Sequence, residues 1–305
     1  GIYEGKLEIW DECFTIEYAD VGKIGFTIDI VPATDESEEK KQSLLAKSSY
    51  PNLINTAVAI PKHNGNHNYT WITNNPRGFR QWFDEINKPF LEAGRNNYRN
   101  ELFKRHSRFY ASVEEIPHAL DRSALQRVIQ LLKYHRNVYY DKLPGGDDIK
   151  PISAIINVLV TEISKAYNPE CSVFELLEYV LKELEIYAQH LAKNQKEFVA
   201  LYGARNVISH NNGVWYIANP ANPEDNLANK WNENPRIPKT FFMWIKVVTS
   251  DLIDSLQQDD KHFRTTLDNG FGSKAVTAAL GEKYMTTEAP RLIIKESAPK
   301  PYCKI

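Results

Sequence analysis

The feature that most constrains this chain is a change of hydrophobic period. Leu7-Glu8-Ile9-Trp10 and Phe14-Thr15-Ile16-Glu17-Tyr18 alternate apolar and polar residues, the period of a half-buried strand. A turn over Asp20–Gly25 leads into Phe26-Thr27-Ile28-Asp29-Ile30-Val31, which stops at Pro32. These runs read as a small antiparallel sheet. Residues 34–48, rich in charge, read as a surface loop, and His63–Asn68 as another before a short strand near Tyr69–Thr73. From Pro76 onward the period is helical. Strands in one block and helices in the next argue for an α+β chain rather than alternating βαβ units.

Pro76 suits the first turn of a helix whose apolar face is Phe79, Trp82, Phe83, Ile86 and Phe90, with Pro89 as a place for a kink. Asp121 or Ser123 serves to cap the next helix, which carries Leu125, Val128, Ile129 and Leu132 on one face. A third helix follows Pro151 through Ile155, Ile156, Leu159, Ile163 and Tyr167. Ser172 and Glu175 make an S-x-x-E capping box for a long helix reaching Leu191. Thr240–Leu256 is amphipathic, and Lys274–Leu280 reads as a short closing helix.

Length and composition narrow the function classes. With 305 residues, 42% of them apolar, the chain can bury a core without disulfides or a structural metal. Lys and Arg number 37 against 39 Asp and Glu, a net charge of −2, so there is no general basic excess for gripping a long nucleic acid. A small polyanion held by a local basic cluster remains allowed. Cys13, Cys171 and Cys303 are odd in number and lack zinc-ligand spacing, as in a reduced, cytoplasmic protein. The apolar run Ala154–Val160 is short and broken by Asn157, so no membrane span is expected. No signal peptide pattern opens the chain.

Two places stand out as candidate chemistry. Asp29 lies in the middle of an apolar strand and shares a face with Val31, opposite Ile28 and Ile30. A carboxylate there is either a ligand for a hard cation such as Mg²⁺, which takes carboxylate and phosphate oxygens, or a solvent-facing residue on a half-exposed strand. The second place is cationic. Lys133 and Arg136 sit on the Leu131–Asn137 helix, and a Gly-rich loop then leads to Lys150, Pro151 and Ser153 at a helix start. Free N–H groups, the Ser153 hydroxyl and nearby lysines suit a phosphate; equally, they suit a solvated loop beside a capping serine.

Other features carry less. His63 and His67 are four apart in an Asn-rich loop. Asn68-Tyr69-Thr70 matches a glycosylation sequon with nothing else pointing to secretion. Cys171 and His210 lack a third group for nucleophilic catalysis. Trp71, Trp82, Trp231 and Trp244 read as core anchors. The Asn219–Trp231 segment is polar and turn-rich, with no role that its residue types alone supply.

Taken in order, several segments resemble the bacterial cGAS/DncV-like nucleotidyltransferases (CD-NTases). FTIDIVPA (Phe26–Ala33) resembles the strand bearing that family's third catalytic carboxylate. WITNNPRGFRQWF (Trp71–Phe83) resembles its W-x-x-(S/T)-x-P-x-G-x-x-x-W segment. Val113–Tyr140 is similar to the helix entering its helical domain, DIKPISAIINVL (Asp148–Leu159) to its lysine-proline-x-serine helix start, and Asn219–Trp231 to an Asn-Pro…Glu-Asn…Trp segment. The similarity runs over nearly the whole chain.

The resemblance implies the remainder of a polymerase-beta-like nucleotidyltransferase mixed sheet, residues 1–112, packed on a larger oligoadenylate-synthetase-like helical domain, residues 113–305. It implies synthesis of a cyclic di- or trinucleotide messenger from NTPs (ATP, with GTP or UTP) in antiphage signalling of the CBASS type, with CBASS regulatory proteins as partners. Asp29 would be the third metal-binding carboxylate, for Mg²⁺ or Mn²⁺. Lys133 and Ser153 would contact the donor triphosphate, with Lys150 adding to them. The Asn219–Asn226 segment would be structural.

One departure matters. The family's Gly-Ser motif and D-x-D carboxylate pair precede the Asp29 strand, yet the residues before Asp29 carry neither, and Asp11 and Glu12 are adjacent. A start at Gly1 in place of Met points to truncation, proteolysis or disorder there. The expectation is that residues 1–305 do not catalyse alone while the parent protein does. The rival readings are a noncatalytic nucleotide sensor of the same fold and a template-independent polymerase making linear products.

Overall fold

The computed structural model describes residues 7–21, 24–65, 68–106 and 122–281. The chain forms two compact units, Gly1–Lys246 and Val247–Ile305. The boundary expected at 112/113 lies outside the described residues.

The period-2 runs form the sheet that their pattern predicts. Strands β1 (Leu7–Ile9), β2 (Phe14–Val21) and β3 (Ile24–Ile30) pair antiparallel in that order. The register aligns Leu7, Ile16 and Ile28 in one row and Ile9, Phe14 and Ile30 in the next, with Glu8, Thr15 and Asp29 between them. Because successive side chains alternate, one face is apolar and the other polar. The apolar face is not buried: Leu7, Phe14, Ile28 and Ile30 are exposed, and Ile9 is 74% exposed. A second antiparallel sheet joins β4 (Thr34–Asp35), β5 (Val58–His63) and β6 (Tyr69–Asn74). Every described strand pair is antiparallel, so the mixed sheet implied by the resemblance is not seen among the described residues.

Residues 34–48 correct an expectation. In place of a loop they form β4 and helix α1 (Glu38–Leu45). Ser37 caps α1 by accepting from the Lys40 amide at 3.2 Å, and Glu38 and Glu39 fill the first turn, where carboxylates suit the helix dipole. Leu44, fully buried against Ile54 and Ala57, anchors it. A helix with so little apolar surface leaves almost no periodic signal.

Helix α2 (Pro76–His106) runs unbroken through Pro89, whose ring stands on the exposed face. Trp82 and Phe90 carry the buried face. Helix α3 (Ala124–Asp141) starts at Ser123, which forms a capping box with Gln126; Asp121 lies outside the described residues. The short α4 (Gly146–Ile149) leads to α5 (Ser153–Ser164), and α6 (Val173–Tyr187) opens on the expected Ser172/Glu175 box. Leu125, Val128 and Leu132 of α3, Ile155, Ile156 and Leu159 of α5, and Leu176, Val180 and Leu184 of α6 are all buried and form the helical core. Helix α7 (Gln195–Tyr202) has a further box, Asn194/Glu197. Hairpin β7 (Ser209–Asn211)–β8 (Val214–Tyr216), the pair β9 (Ala218–Asn219)–β10 (Asn222–Asn226), α8 (Asn229–Glu233) and α9 (Arg236–Leu252) follow. In the second unit, α10 (Asp260–Phe271) and α11 (Ser273–Leu280) are joined by buried Arg264, which donates to the Thr277 hydroxyl at 2.7 Å.

Trp82, Trp231 and Trp244 are core anchors as expected, but Trp71 is 64% exposed. The alternation along β6 sends Tyr69 and Trp71 outward, which ring size does not reveal.

The polar Asn219–Trp231 segment is a set of side-chain amides standing in for backbone. Asn226 accepts from the Ile217 and Ala228 amides, both at 3.0 Å, and donates to the Trp215 carbonyl at 2.9 Å. Asn222 donates to the Thr73 carbonyl at 3.0 Å. Buried Asn75 ties this segment to α2. Its amide donates to the Leu53 and Ala221 carbonyls at 2.8 and 3.0 Å, and its oxygen accepts from Thr56 and from the Gly78 amide at 2.8 and 2.9 Å. A Cβ on Gly78 would lie 2.5 Å from that amide nitrogen, so the Asn-Pro-x-Gly spacing is set by close approach. Glu224 closes the arrangement by accepting from Lys40 and Lys47.

Two predictions follow from this packing. Asn75→Ala removes a helix cap and leaves buried carbonyls unpaired, for a loss of about 3 kcal/mol in urea unfolding; a change under about 0.5 kcal/mol would show that the node is dispensable. Buried His190 stacks on Phe198 at 3.7 Å, and burial, followed by the neighbouring His210, holds its imidazole down at about 4. The unfolded chain, titrating near 6.5, then binds the extra proton, so stability is full above about 6.5 and falls as pH drops toward 4. In His190→Phe this fall should be reduced by about 2–3 kcal/mol across that range; an unchanged pH profile would refute the assignment.

Candidate functional site

Helix α3 places Lys133 and Arg136 three residues apart, one turn along the same face. Arg136 is 7% exposed, and its guanidinium is committed in a fixed fork. It donates to the Pro151 carbonyl at 2.8 Å, to the Ser153 hydroxyl at 3.3 Å, and from two nitrogens to the Asn137 side-chain oxygen at 3.1 and 2.9 Å. Among the described residues it has no carboxylate partner. Lys133 is half-buried and likewise has none; burial first, then the Arg136 charge, push its ammonium down from the usual lysine range. Burial lowers Arg136 as well. Two adjacent cations, partly dehydrated and uncompensated, cost stability unless an anion joins them.

The other side of this site is the start of α5. Ile152 occupies the cap position and no side chain caps the helix, so the positive end of the helix dipole sits beside Ser153 and Arg136. The turn before it is tight: a Cβ on Gly146 would fall 1.9 Å from the Tyr140 carbonyl oxygen. Past that turn Lys150 pairs with Asp147 at 2.6 Å and Asp141 at 3.8 Å. The structure thus bonds Ser153 to Arg136, the neighbour of Lys133 one turn along α3, and leaves Lys150 engaged with carboxylates. Arg136 had been placed beside Lys133 by the sequence without a role; the three-residue spacing was its only signal.

Asp29 lies on the polar face of the β1–β3 sheet and is exposed. Its Oδ1 accepts from its cross-strand partner Thr15 at 2.6 Å, and it forms no hydrogen bond or ion pair with Lys133, Lys150 or Ser153. Among the described residues no three His, Cys, Asp or Glu side chains converge as a metal site. One carboxylate does not complete a Mg²⁺ site, so the described residues alone do not fit that ion.

The lesser candidates resolve simply. His63 packs against Tyr69 with ring centroids 5.2 Å apart; His67 lies outside the described residues. His210 stacks on Trp215 at 4.2 Å, while burial pushes the Cys171 thiol up, away from a nucleophilic thiolate. A separate cavity of about 400 Å³ lies toward the other end of α5, with Tyr50, Glu162, Lys165 and Asn219 in its wall. There Glu162 accepts from the Trp82 indole at 3.0 Å and from Tyr50 at 2.7 Å and pairs with Lys165.

No family model matches the chain. Over 178 residues, 58% of its length, the chain is 27% identical to a protein named c-di-GMP synthase from Roseivirga ehrenbergii. The matched stretch spans 38% of that relative. No described helix is long and apolar enough to cross a membrane.

If Lys133 is held without a counterion for the sake of an anion, removing its charge should relieve the chain. Lys133→Met is expected to raise the thermal midpoint by about 2–4 °C. Millimolar tripolyphosphate should raise the midpoint of the wild-type chain but not of the variant. A lower midpoint in Lys133→Met, with an undiminished tripolyphosphate response, would show that the lysine serves the fold instead.

Proposed function

We propose that this chain is the nucleotide-holding part of a nucleotidyltransferase that joins NTPs into a cyclic di- or trinucleotide messenger. The observation that carries the reading is the pair of cations on one face of α3, Lys133 and buried Arg136, without a carboxylate among the described residues, with Arg136 bonded to Ser153 at an uncapped helix start. Such a site suits the β- and γ-phosphates of a bound NTP: charge from α3, hydrogen bonds from α5, and a position fixed by the helical core. In phosphoryl transfer the protein does little covalent work, so holding and neutralising the triphosphate is the main task. The likeness to a c-di-GMP synthase supports this class of reaction and puts GTP beside ATP and UTP as a substrate to test.

Asp29 belongs to the proposal as one of the carboxylates that hold Mg²⁺, or Mn²⁺, with the others supplied from beyond the residues described here. The exposed apolar face of the β1–β3 sheet supports a nucleotidyltransferase core that continues past these three strands. For residues 1–305 taken alone, nucleotide binding without turnover is the expected behaviour. A role in CBASS antiphage signalling, with its regulatory proteins as partners in the cytoplasm, completes the proposal and rests on the sequence resemblance.

The test is incubation of the parent protein with labelled ATP, GTP and UTP and Mg²⁺, followed by mass determination of phosphatase-resistant product. A cyclic product is expected, and Asp29→Asn should abolish it while leaving the unfolding curve unchanged. Normal turnover by that variant would remove Asp29 from the mechanism; a phosphatase-sensitive product would mark a linear polymerase, and nucleotide binding without pyrophosphate release a sensor.

A further inference from the structure

Arg136 is too deeply placed, and too fully engaged, to act as one more surface cation. Four of its N–H groups are accounted for by the Pro151 carbonyl, the Ser153 hydroxyl and the Asn137 oxygen, so the guanidinium can neither swing out nor be replaced by a point charge without losing the fork. Its contact with Ser153 also sets a direction. Because Oγ accepts from Arg136, the hydroxyl's own hydrogen must be donated elsewhere. Ser153 is exposed and is the first residue of α5, whose start no side chain caps, and among the described residues no protein acceptor takes its hydrogen, which leaves it free for water or an incoming anion.

We propose that Arg136 is a positioning residue: it holds the Ser153 hydroxyl as a donor aimed at the anion, while Lys133 meets the anion directly. The inference rests on reading this site as one for a polyphosphate. Asn137 has a part as well, because its exposed side chain fixes the guanidinium plane from the solvent side.

Calorimetric titration of the full chain with inorganic tripolyphosphate at fixed ionic strength tests this, using a thermodynamic cycle. Ser153→Ala and Arg136→Lys should each weaken binding about tenfold, the scale of one hydrogen bond to a charged group. The double variant should be no more than about twofold weaker than either, because both changes remove the same aimed hydroxyl. Asn137→Ala, an exposed substitution that leaves the fold intact, should cost a few-fold in the wild type and nothing in the Ser153→Ala background. Lys133→Met should weaken binding far more and reduce its salt dependence, whereas Arg136→Lys should leave the salt dependence unchanged. If the losses of Ser153→Ala and Arg136→Lys multiply, or if Asn137→Ala acts equally in both backgrounds, Arg136 does not work through Ser153 and the inference fails. If the wild-type chain binds no tripolyphosphate, or Lys133→Met binds as well as wild type, the polyphosphate site itself is wrong, a distinct failure.

Discussion

The structure turns on a guanidinium placed almost out of water with no carboxylate partner among the described residues. Burying an uncompensated charge is costly, and Arg136 is tolerated because backbone carbonyl, hydroxyl and amide oxygens take up its donors. Those acceptors come from α3 itself and from the start of α5, so the same contacts that make the charge bearable also fix one helix end against the other. Lys133, one turn earlier, adds a second positive charge that neither water nor carboxylate fully answers. The stability given up here is the physical ground for the anion site proposed above.

Around this site the chain relies on side-chain amides to hold segments that have little regular structure. Asn75, Asn222, Asn226 and Asn232 bond almost entirely to backbone groups, supplying the partners that short strands β9 and β10 cannot give each other. Asn75 is the most connected of them, joining the 3-10 turn Pro51–Thr56, the start of α2 and the Ala221 carbonyl through one amide. Glu162 plays a comparable part on α5, where a carboxylate gathers an indole, a phenol and an ammonium from three segments. Glu162 ties α5 to its surroundings at one end while Arg136 does so at the other.

The β1–β3 sheet is built differently. Its register sorts residues cleanly into a polar face with Asp29 and an apolar face that remains exposed. Asp29 thus has a defined orientation and a hydrogen-bonded neighbour, but no convergence of acidic groups around it among the described residues. The helical site and the carboxylate strand stand as two separate parts of the chemistry proposed above.

Local pattern determined a good deal. Alternation fixed β1, β2 and β3 and the side on which Asp29 lies, since period 2 leaves no other choice once the apolar residues are placed. Capping chemistry fixed the starts of α3 and α6, because Ser123 and Ser172 satisfy orphan amides within three residues. Spacing put Lys133 and Arg136 on one helical face. Tertiary structure decided the rest, for reasons of distance. That α1 is a helix depends on Leu44 reaching Ile54 and Ala57, that Trp71 faces outward depends on the pairing of β6 with β5, and that Asn75 meets Ala221 depends on a contact across more than a hundred residues. That Lys150 pairs with Asp147 and Asp141 while Ser153 accepts from Arg136 was decided in the same way, because charge compensation depends on which groups the folded chain brings within a few ångströms.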